Sequence, residues 1–337
     1  MVKLKNVVAA AIVFVAAGAM ASNFRAADQV YVPAAGHIGG SSGTFISDVF
    51  ISNLSTDPVS VSVIYGSTAA GTQANFSNII HLAAGERREI VDFFPSVLNL
   101  QTGFGQLIFN GCKEGGVCDV TTCPNGATTG VCPDFRNISV ESRIYSIPPG
   151  TTLAQNPPTN GQLFAGLPWY SFVSSDASGV GLDKVFITGL RNNAGYRGNV
   201  GLVNASQFSS TTLSIKLFNG LTGAQIGSTA TVSLGPLGHT QQNLGAMFPA
   251  FTGATATNAY LTVEQGNTVP TSDAAANGCA NGCPAFFAYG SVLDNQSGDA
   301  TTLEPQYLQA LTTAAINCIY NSTGCKGAFN LHRAVKH

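Results

Sequence analysis

Apolar and polar residues alternate along many short stretches of this chain. Thr44–Asn53 places Phe45, Val49 and Ile51 at alternating positions, and Val59–Tyr65 repeats the pattern after a turn. Strict alternation is typical of a β-strand with one buried face. No long helical period lies between these strands, so the pattern predicts antiparallel β-sandwiches.

The strand pattern occurs twice in the chain. Gly195–Asn204 repeats Thr44–Asn53, each with an aromatic residue, a polar pair, alternating apolar positions and a closing Asn. The two copies stand roughly 150 positions apart, which is far longer than a solenoid repeat. A shared Phe-Pro, at Phe94 and again at Phe248, follows at nearly the same spacing. The sequence therefore predicts a duplicated domain.

The predicted fold class is all-β, with two tandem antiparallel Ig-like β-sandwich domains and a short C-terminal tail. The domains are expected at residues 22–147 and 183–302, joined by a Gly/Pro/Ser-rich linker at 148–182. Cys-rich insertions at 111–133 and 277–284 precede the last strand of each copy. In the tail, 303–337, Pro305 could open a helix with Leu308, Leu311 and Ala315 on one face.

The first 21 residues have the features of a cleaved signal peptide. Lys3 and Lys5 provide a positive start, Val7–Ala17 an apolar run, and Ala19–Ala21 a small-residue cleavage site. The alternative is a membrane anchor, but the apolar run is too short to span a bilayer. We expect a secreted, cell-surface protein that begins at Ser22 and has no membrane span.

Eight cysteines in an exported chain predict disulfides, whose pairing does not follow from sequence. Zinc is the alternative, suggested by the close spacing of Cys279 and Cys283, but no second such pair and no nearby His completes a site. The disulfide candidates are Cys112, Cys118, Cys123, Cys132, Cys279, Cys283, Cys318 and Cys325.

Charge is scarce: only 9% of the 337 residues are charged, and the formal net charge is −2. Such a chain lacks the basic field that nucleic-acid binding requires. No catalytic or nucleotide-binding motif occurs, so we expect neither enzymatic activity nor a cofactor. The densest charge run, Glu86–Glu89, fits a solvated strand face, and His81 and His239 fall near matched turns where exposed polar side chains are expected.

Three sets of residues are candidates for binding or for structural support. Trp169, Tyr170 and Phe172 form an aromatic patch that either packs against a domain or binds a ligand. Asp294 and Asp299 could supply oxygens to Ca²⁺, although Asx-rich turns look the same. Asp48 and Asn199 hold matched strand positions and are expected to tie down neighbouring backbone through hydrogen bonds.

The repeat resembles tandem Ig-like domains of uncharacterised secreted bacterial proteins. The resemblance lies in Val32–Ala35, Gly43–Val49, Gly189–Asn204 and Ser291–Asp299. It covers residues 30–302 and implies an extracellular β-sandwich, with no catalytic residues to transfer.

Two functional hypotheses follow. The first is a non-enzymatic structural or adhesive protein that presents disulfide-clipped loops or assembles with itself or with other cell-surface components. In it, the arm before the first core strand would add to the sheet edge of a neighbouring molecule and build a fibre. The alternative for the arm is that it completes its own domain. The second hypothesis is a carbohydrate- or surface-binding module that uses an aromatic patch.

Overall fold

The computed structural model describes residues 26–40, 43–67, 72–116, 118, 134–155, 159–168, 173–174, 184–206, 210–265 and 285–308. These residues form two tandem antiparallel β-sandwiches. The strands of the first are β1 (Gln29–Gly40), β2 (Gly43–Asn53), β3 (Val59–Ser67), β4 (Thr72–Leu82), β5 (Arg87–Ile90), β6 (Gly103–Lys113), β7 (Ile138–Ile147), β8 (Gly161–Ala165) and β9 (Leu167–Pro168). Those that follow are β10 (Val173–Ser174), β11 (Lys184–Leu190), β12 (Tyr196–Asn204), β13 (Thr211–Asn219), β14 (Ala230–Leu234), β15 (His239–Asn243), β16 (Ala259–Gln265), β17 (Ala285–Asp294), β18 (Ala300–Leu303) and β19 (Gln306–Leu308).

Helical structure in the described residues is limited to single turns. A π-helical turn at Phe94–Leu98 and a short α-helix, α1, at Leu244–Met247 occupy matched places after β5 and β15. Two 3₁₀ turns lie at Leu153–Gln155 and Gly253–Thr257. None of these helices is long and apolar enough to cross a bilayer.

The two sandwiches repeat one strand order. In the first, sheet 1A has the order β5-β2-β7-β8 and sheet 1B the order β4-β3-β6-β1-β9. In the second, sheet 2A has the order β15-β12-β17-β18 and sheet 2B the order β14-β13-β16-β11-β19. The additional strand β10 pairs with β17. Strand β1 also pairs with β2 through Ile38–Gly40, which joins sheets 1A and 1B into one nine-stranded sheet. Among the described residues this pairing has no counterpart between β11 and β12, whereas the other pairings of β1 to β9 recur in the second sandwich, as the predicted duplication requires.

The apolar faces of the alternating strands form one core inside each sandwich. Val49, Ile51 and Phe109 are completely buried in the first core, and Val200, Leu202 and Leu261 are completely buried in the second. The side chains at every second position of these strands lie in the core, as alternation predicts. Burial of this apolar surface is the main term that stabilises each sandwich.

A third cluster of buried side chains joins the two domains. Tyr31, Ile64 and Ile108 on sheet 1B pack with Val203 and Phe287 on sheet 2A. Gln106 on β6 crosses the same boundary, where its Nε2 donates to the carbonyl oxygens of Asn204 and Leu237, each at 2.8 Å. The order of layers is thus 1A, 1B, 2A, 2B, with an apolar core between each adjacent pair.

Short strands lie in two segments that the sequence assigns to the linker and to the tail. Residues 148–182 are not only a linker, because β8 pairs with β7 and β9 pairs with β1, which adds both strands to the first sandwich. The tail beyond 303 does not open as a helix at Pro305, because Gln306–Leu308 forms β19 and pairs with β11. Positions 311 and 315 of the predicted helix lie outside the described residues.

The N-terminal arm completes its own domain. Strand β1 lies inside sheet 1B, paired on one side with β6 over Gln29–His37 and on the other with β9. Its register shifts between Val32 and Ala35, at Pro33, and the strand continues beyond this residue. A bulge is one of the few places where a strand tolerates Pro. The structure thus has the arrangement of the alternative prediction, in which the arm belongs to its own sandwich.

Candidate functional site

A cleft lies between the two domains. Its volume is about 340 Å³, within the range of small-molecule sites. The first domain contributes Ile38, Gly39, Gly40, Phe45, Phe104, Ile144, Asn160, Gly161 and Gln162, and the second contributes Gln241, Ser291, Leu293, Gly298 and Ala300. None of these residues is charged, so the cleft is lined by aromatic and aliphatic side chains, amides, a hydroxyl and backbone.

A chain of three hydrogen-bonding side chains supports the second-domain wall of the cleft. Tyr289 donates from its hydroxyl to Gln241 Oε1 at 3.0 Å, and the same hydroxyl lies 3.1 Å from His239 Nε2. Because the Tyr289 hydroxyl donates its proton to Gln241, its oxygen accepts a hydrogen bond from His239, in the neutral tautomer that carries the proton on Nε2. The ring of Phe104, from the first domain, contacts the His239 ring edge-on at 4.9 Å.

The sheet register explains how Tyr289 reaches these partners. Gly201 on β12 lies between Gln241 on β15 and Tyr289 on β17. A Cβ atom on Gly201 would stand only 2.0 Å from the Tyr289 ring. The missing side chain therefore lets the Tyr289 ring lie over the β12 backbone and bond to side chains on the strand beyond it.

Burial shifts the ionisation of both titratable groups in this chain. The His239 side chain is fully buried, which disfavours its charged form and lowers its pKa to about 3. Burial raises the pKa of Tyr289 above its ordinary value. Near neutral pH both groups are uncharged and able to hold the hydrogen bonds described above.

This location contradicts the expectation that His239 is an exposed turn residue. It is 2% exposed and lies at the interface of the domains, whereas the His81 side chain is 60% exposed and pairs with Glu114 at 3.1 Å. The register also matches His239 with Arg87 of the first domain rather than with His81. The charge run around Arg87 does form an exposed face, and Arg88 bonds to Glu86 within it.

A polar cluster at one end of sheet 1A has a structural role. Asp48 Oδ1 accepts from the backbone N–H of Asp92 at 3.0 Å and from the Tyr145 hydroxyl at 3.1 Å. His37 Nδ1 lies 2.8 Å from Asp92 Oδ1. The prediction that Asp48 ties down neighbouring backbone is confirmed, and the contact holds Asp92 at a positive φ of 48°. Its counterpart Asn199 instead accepts from the Asn243 side chain at 3.4 Å.

The calcium candidates form a closed turn. Asp294 Oδ1 accepts from the backbone N–H groups of Gln296 and Ser297, and Asp299 Oδ1 accepts from the N–H of Ala300. This is the Asx-turn alternative, in which the carboxylate binds its own loop. Among the described residues, no group of three or more His, Cys, Asp or Glu side chains could hold a metal ion.

The remaining site predictions fall partly outside the described residues. Cys112 and Cys118 are joined by a disulfide across a sequence separation of 6. Cys123, Cys132, Cys279, Cys283, Cys318 and Cys325 lie outside those residues, and so do Trp169, Tyr170 and Phe172.

Comparison with known proteins names no family. No protein-family model matches the chain, and no curated protein is significantly similar to it. Among solved structures, it is similar to the N-terminal CBM22-1–CBM22-2 tandem domain of Paenibacillus barcinonensis Xyn10C, at 6% identity over 86% of this chain and 95% of that one, with a TM-score of 0.21. It is also similar to the Pleurotus ostreatus lectin in its apo form, at 10% identity over 86% and 88% of the two chains, with a TM-score of 0.14. Both TM-scores are too low to support a function.

Proposed function

We propose that this is an exported, non-enzymatic binding protein that holds an uncharged carbohydrate in the cleft between its two domains. The observation that carries the proposal is the neutral lining of that cleft. Phe45 and Phe104 offer ring surfaces, while Asn160, Gln162 and Gln241 offer amides. Apolar walls with a few placed polar groups are the usual composition of a small-molecule site.

The chemistry of the lining matches a sugar ring. The C–H faces of a pyranose pack against aromatic rings, and its hydroxyls need neutral groups that both donate and accept hydrogen bonds. Side-chain amides and the Ser291 hydroxyl are such groups. A phosphate or another anion would find no cation among the lining residues to offset its desolvation.

The absence of catalysis is part of the proposal. General acid–base chemistry requires a titratable side chain in contact with the substrate, and glycoside hydrolysis ordinarily requires two carboxylates. The residues that line the cleft include none. His239 and Tyr289 lie behind Gln241, where burial keeps both uncharged near neutral pH.

A glycan array tests the proposed binding. We expect the purified mature protein to bind neutral oligosaccharides, and Phe45→Ala to remove most of this binding because it deletes one ring of the cleft. The matched control is Leu221→Ala, which removes a side chain that is 84% exposed and does not line the cleft. Absence of neutral-glycan binding by the wild-type protein, or equal loss in both variants, would contradict the proposal.

Export has a separate test. Mass spectrometry of protein recovered from the culture medium should give Ser22 as the first residue. Retention of the full chain inside the cell would remove this part of the proposal and leave the binding site unaffected.

Self-association is a second candidate function, favoured by the edge of sheet 1B. Edge strand β4 runs for 11 residues without Asp, Glu, Lys or Arg, and Ile79 on it is 46% exposed. Uncharged edges of this length invite pairing with another chain. Light scattering should then show assembly of the wild-type protein and a monomer for Ile79→Lys, whereas a monomeric wild-type protein would exclude this candidate.

A further inference from the structure

Strand β17 orients the side-chain amides of two cleft glutamines in the same way, by bonding to their oxygens. Ser291 donates from its hydroxyl to Gln162 Oε1 at 2.9 Å, as Tyr289 does to Gln241 Oε1 at 3.0 Å. Tyr289 and Ser291 are two positions apart on one face of the strand, about 7 Å along it. Both amide oxygens are thus occupied by hydroxyl protons. Among the described residues, neither amide nitrogen has a protein acceptor, and both side chains line the cleft, so their N–H groups are available to a ligand there.

The side-chain amide of Asn160 has the opposite orientation, because the protein bonds to its nitrogen. Its Nδ2 donates to the backbone carbonyl of Ser297, which leaves Oδ1 as an acceptor in the cleft. The first-domain wall therefore carries one acceptor and one donor amide, at Asn160 and Gln162, and the second-domain wall carries a donor amide at Gln241. The uncharged group that complements such a set contains a carbonyl oxygen and an N–H.

We infer that the cleft recognises the acetamido group of an N-acetylated sugar, with the sugar carbonyl accepting from Gln162 and Gln241 and the sugar N–H donating to Asn160. This inference rests on the proposed carbohydrate function. A carboxylated sugar would also accept from both glutamines, but the lining provides no cation for its charge. A buried charge without a partner is far more costly than a buried neutral amide.

Tyr289 and Ser291 are positioning residues in this inference. Each acts through a glutamine by holding the amide oxygen away from the ligand. Without the hydroxyl, the glutamine amide is free to rotate and to present its oxygen, which repels a carbonyl. We expect these two hydroxyls to control the selectivity between ligands.

Titration calorimetry with a matched pair of probes tests the inference. The probes are the β-1,4-linked trimer of N-acetylglucosamine and the glucose trimer with the same linkage, which has hydroxyls in place of the acetamido groups. We expect the acetylated trimer to bind at least about tenfold more tightly, the value of one or more neutral hydrogen bonds. Gln162→Glu, which replaces the amide donor with an acceptor of the same shape, should abolish this preference.

The positioning role has its own readout. Ser291→Ala should reduce the ratio of the two affinities towards one, and Tyr289→Phe should do the same where it folds. The matched control is Ser233→Ala, which removes a hydroxyl from the exposed Thr212–Ser233 pair and should keep the wild-type ratio. A ratio unchanged in Ser291→Ala would overturn the positioning role.

The outcomes separate this inference from the proposed function. Equal binding of both trimers would overturn acetamido recognition and retain a neutral carbohydrate site. Binding of the uncharged peptide N-acetyl-dialanine amide as tight as that of the acetylated trimer would assign the site to peptide amides and overturn the inference. Failure of all neutral glycans would overturn both.

Discussion

Acidification should destabilise this protein through one buried histidine. Lowering the pH from 7.5 to 5 protonates His239 in the unfolded chain, where its pKa is about 6.5. In the native state the side chain is buried against Phe104 and Tyr289 and its pKa is about 3. Because the unfolded state binds a proton that the native state excludes, the free energy of unfolding falls as the pH drops below about 6.5.

The size of the effect follows from the two pKa values. At pH 5 the unfolded-state pKa lies about 1.5 units above the solution pH while the native histidine remains neutral, and each unit corresponds to about 1.4 kcal/mol. His239 therefore lowers the free energy of unfolding by about 2 kcal/mol between pH 7.5 and pH 5. This loss of stability is absent well above the unfolded-state pKa, and it grows as the pH falls towards the native-state pKa.

Urea denaturation at the two pH values, followed by circular dichroism, measures this change. The control is His239→Gln, whose side chain does not titrate but can still donate to Tyr289. Other histidines and the carboxylates titrate alike in both proteins, so their contributions cancel in the comparison. The wild-type protein should lose about 2 kcal/mol more than the variant. Equal losses in the two proteins would refute the buried, neutral state of His239.

Three further predictions concern the fold and the domain interface. Deletion of Asp28–Pro33 should unfold the first domain, because it removes the strand between β6 and β9; a folded, monomeric product by circular dichroism and light scattering would contradict the observed pairing. Gly201→Ala should cost about 1–3 kcal/mol as measured by urea denaturation, because the new methyl group overlaps the Tyr289 ring, and an unchanged stability would refute that contact. Gln106→Ala should cost about 2 kcal/mol, because two buried carbonyls each lose a hydrogen bond from its amide; hydrogen exchange should show the loss in β6 and β12, and unaltered protection there would contradict the role of Gln106.

The sequence was sufficient to predict the two sandwiches because alternation reports directly on the cores. Val49 and Ile51, and Val200 and Leu202, are all completely buried as the pattern requires. The short strands β8 and β9 were missed because Gly161–Ala165 and Leu167–Pro168 are too brief and too mixed in polarity to alternate. They form because β7 and β1 offer free edges to the chain as it leaves the first domain.

The cleft could not be predicted from any single strand, because its walls come from both domains. In the sequence, its polar residues have the pattern of a solvent-exposed strand face. Strand β15, His239–Asn243, looks like a polar surface strand, yet its first residue is buried. One signal was present in the comparison of the two copies. Where the first copy has Arg87, Glu89 and Glu141, the second has His239, Gln241 and Tyr289, all uncharged. The loss of charge at these matched positions indicates the face of the second domain that the first domain covers.

The same comparison has a consequence for the evolution of the molecule. After an ancestral domain was duplicated, the two copies diverged on opposite faces. On the joined side, Ile64 and Ile108 meet Phe287, whereas the matched position to Ile64 on the outer face of sheet 2B is Lys216. On the outer face of sheet 1A, Arg87 lies over the Phe50 ring and pairs with Glu141. A third copy stacked by the same contact would have to desolvate these charges, which is costly. The divergence thus disfavours a third domain stacked by the same contact, because the two outer faces carry charges that the joined faces lack.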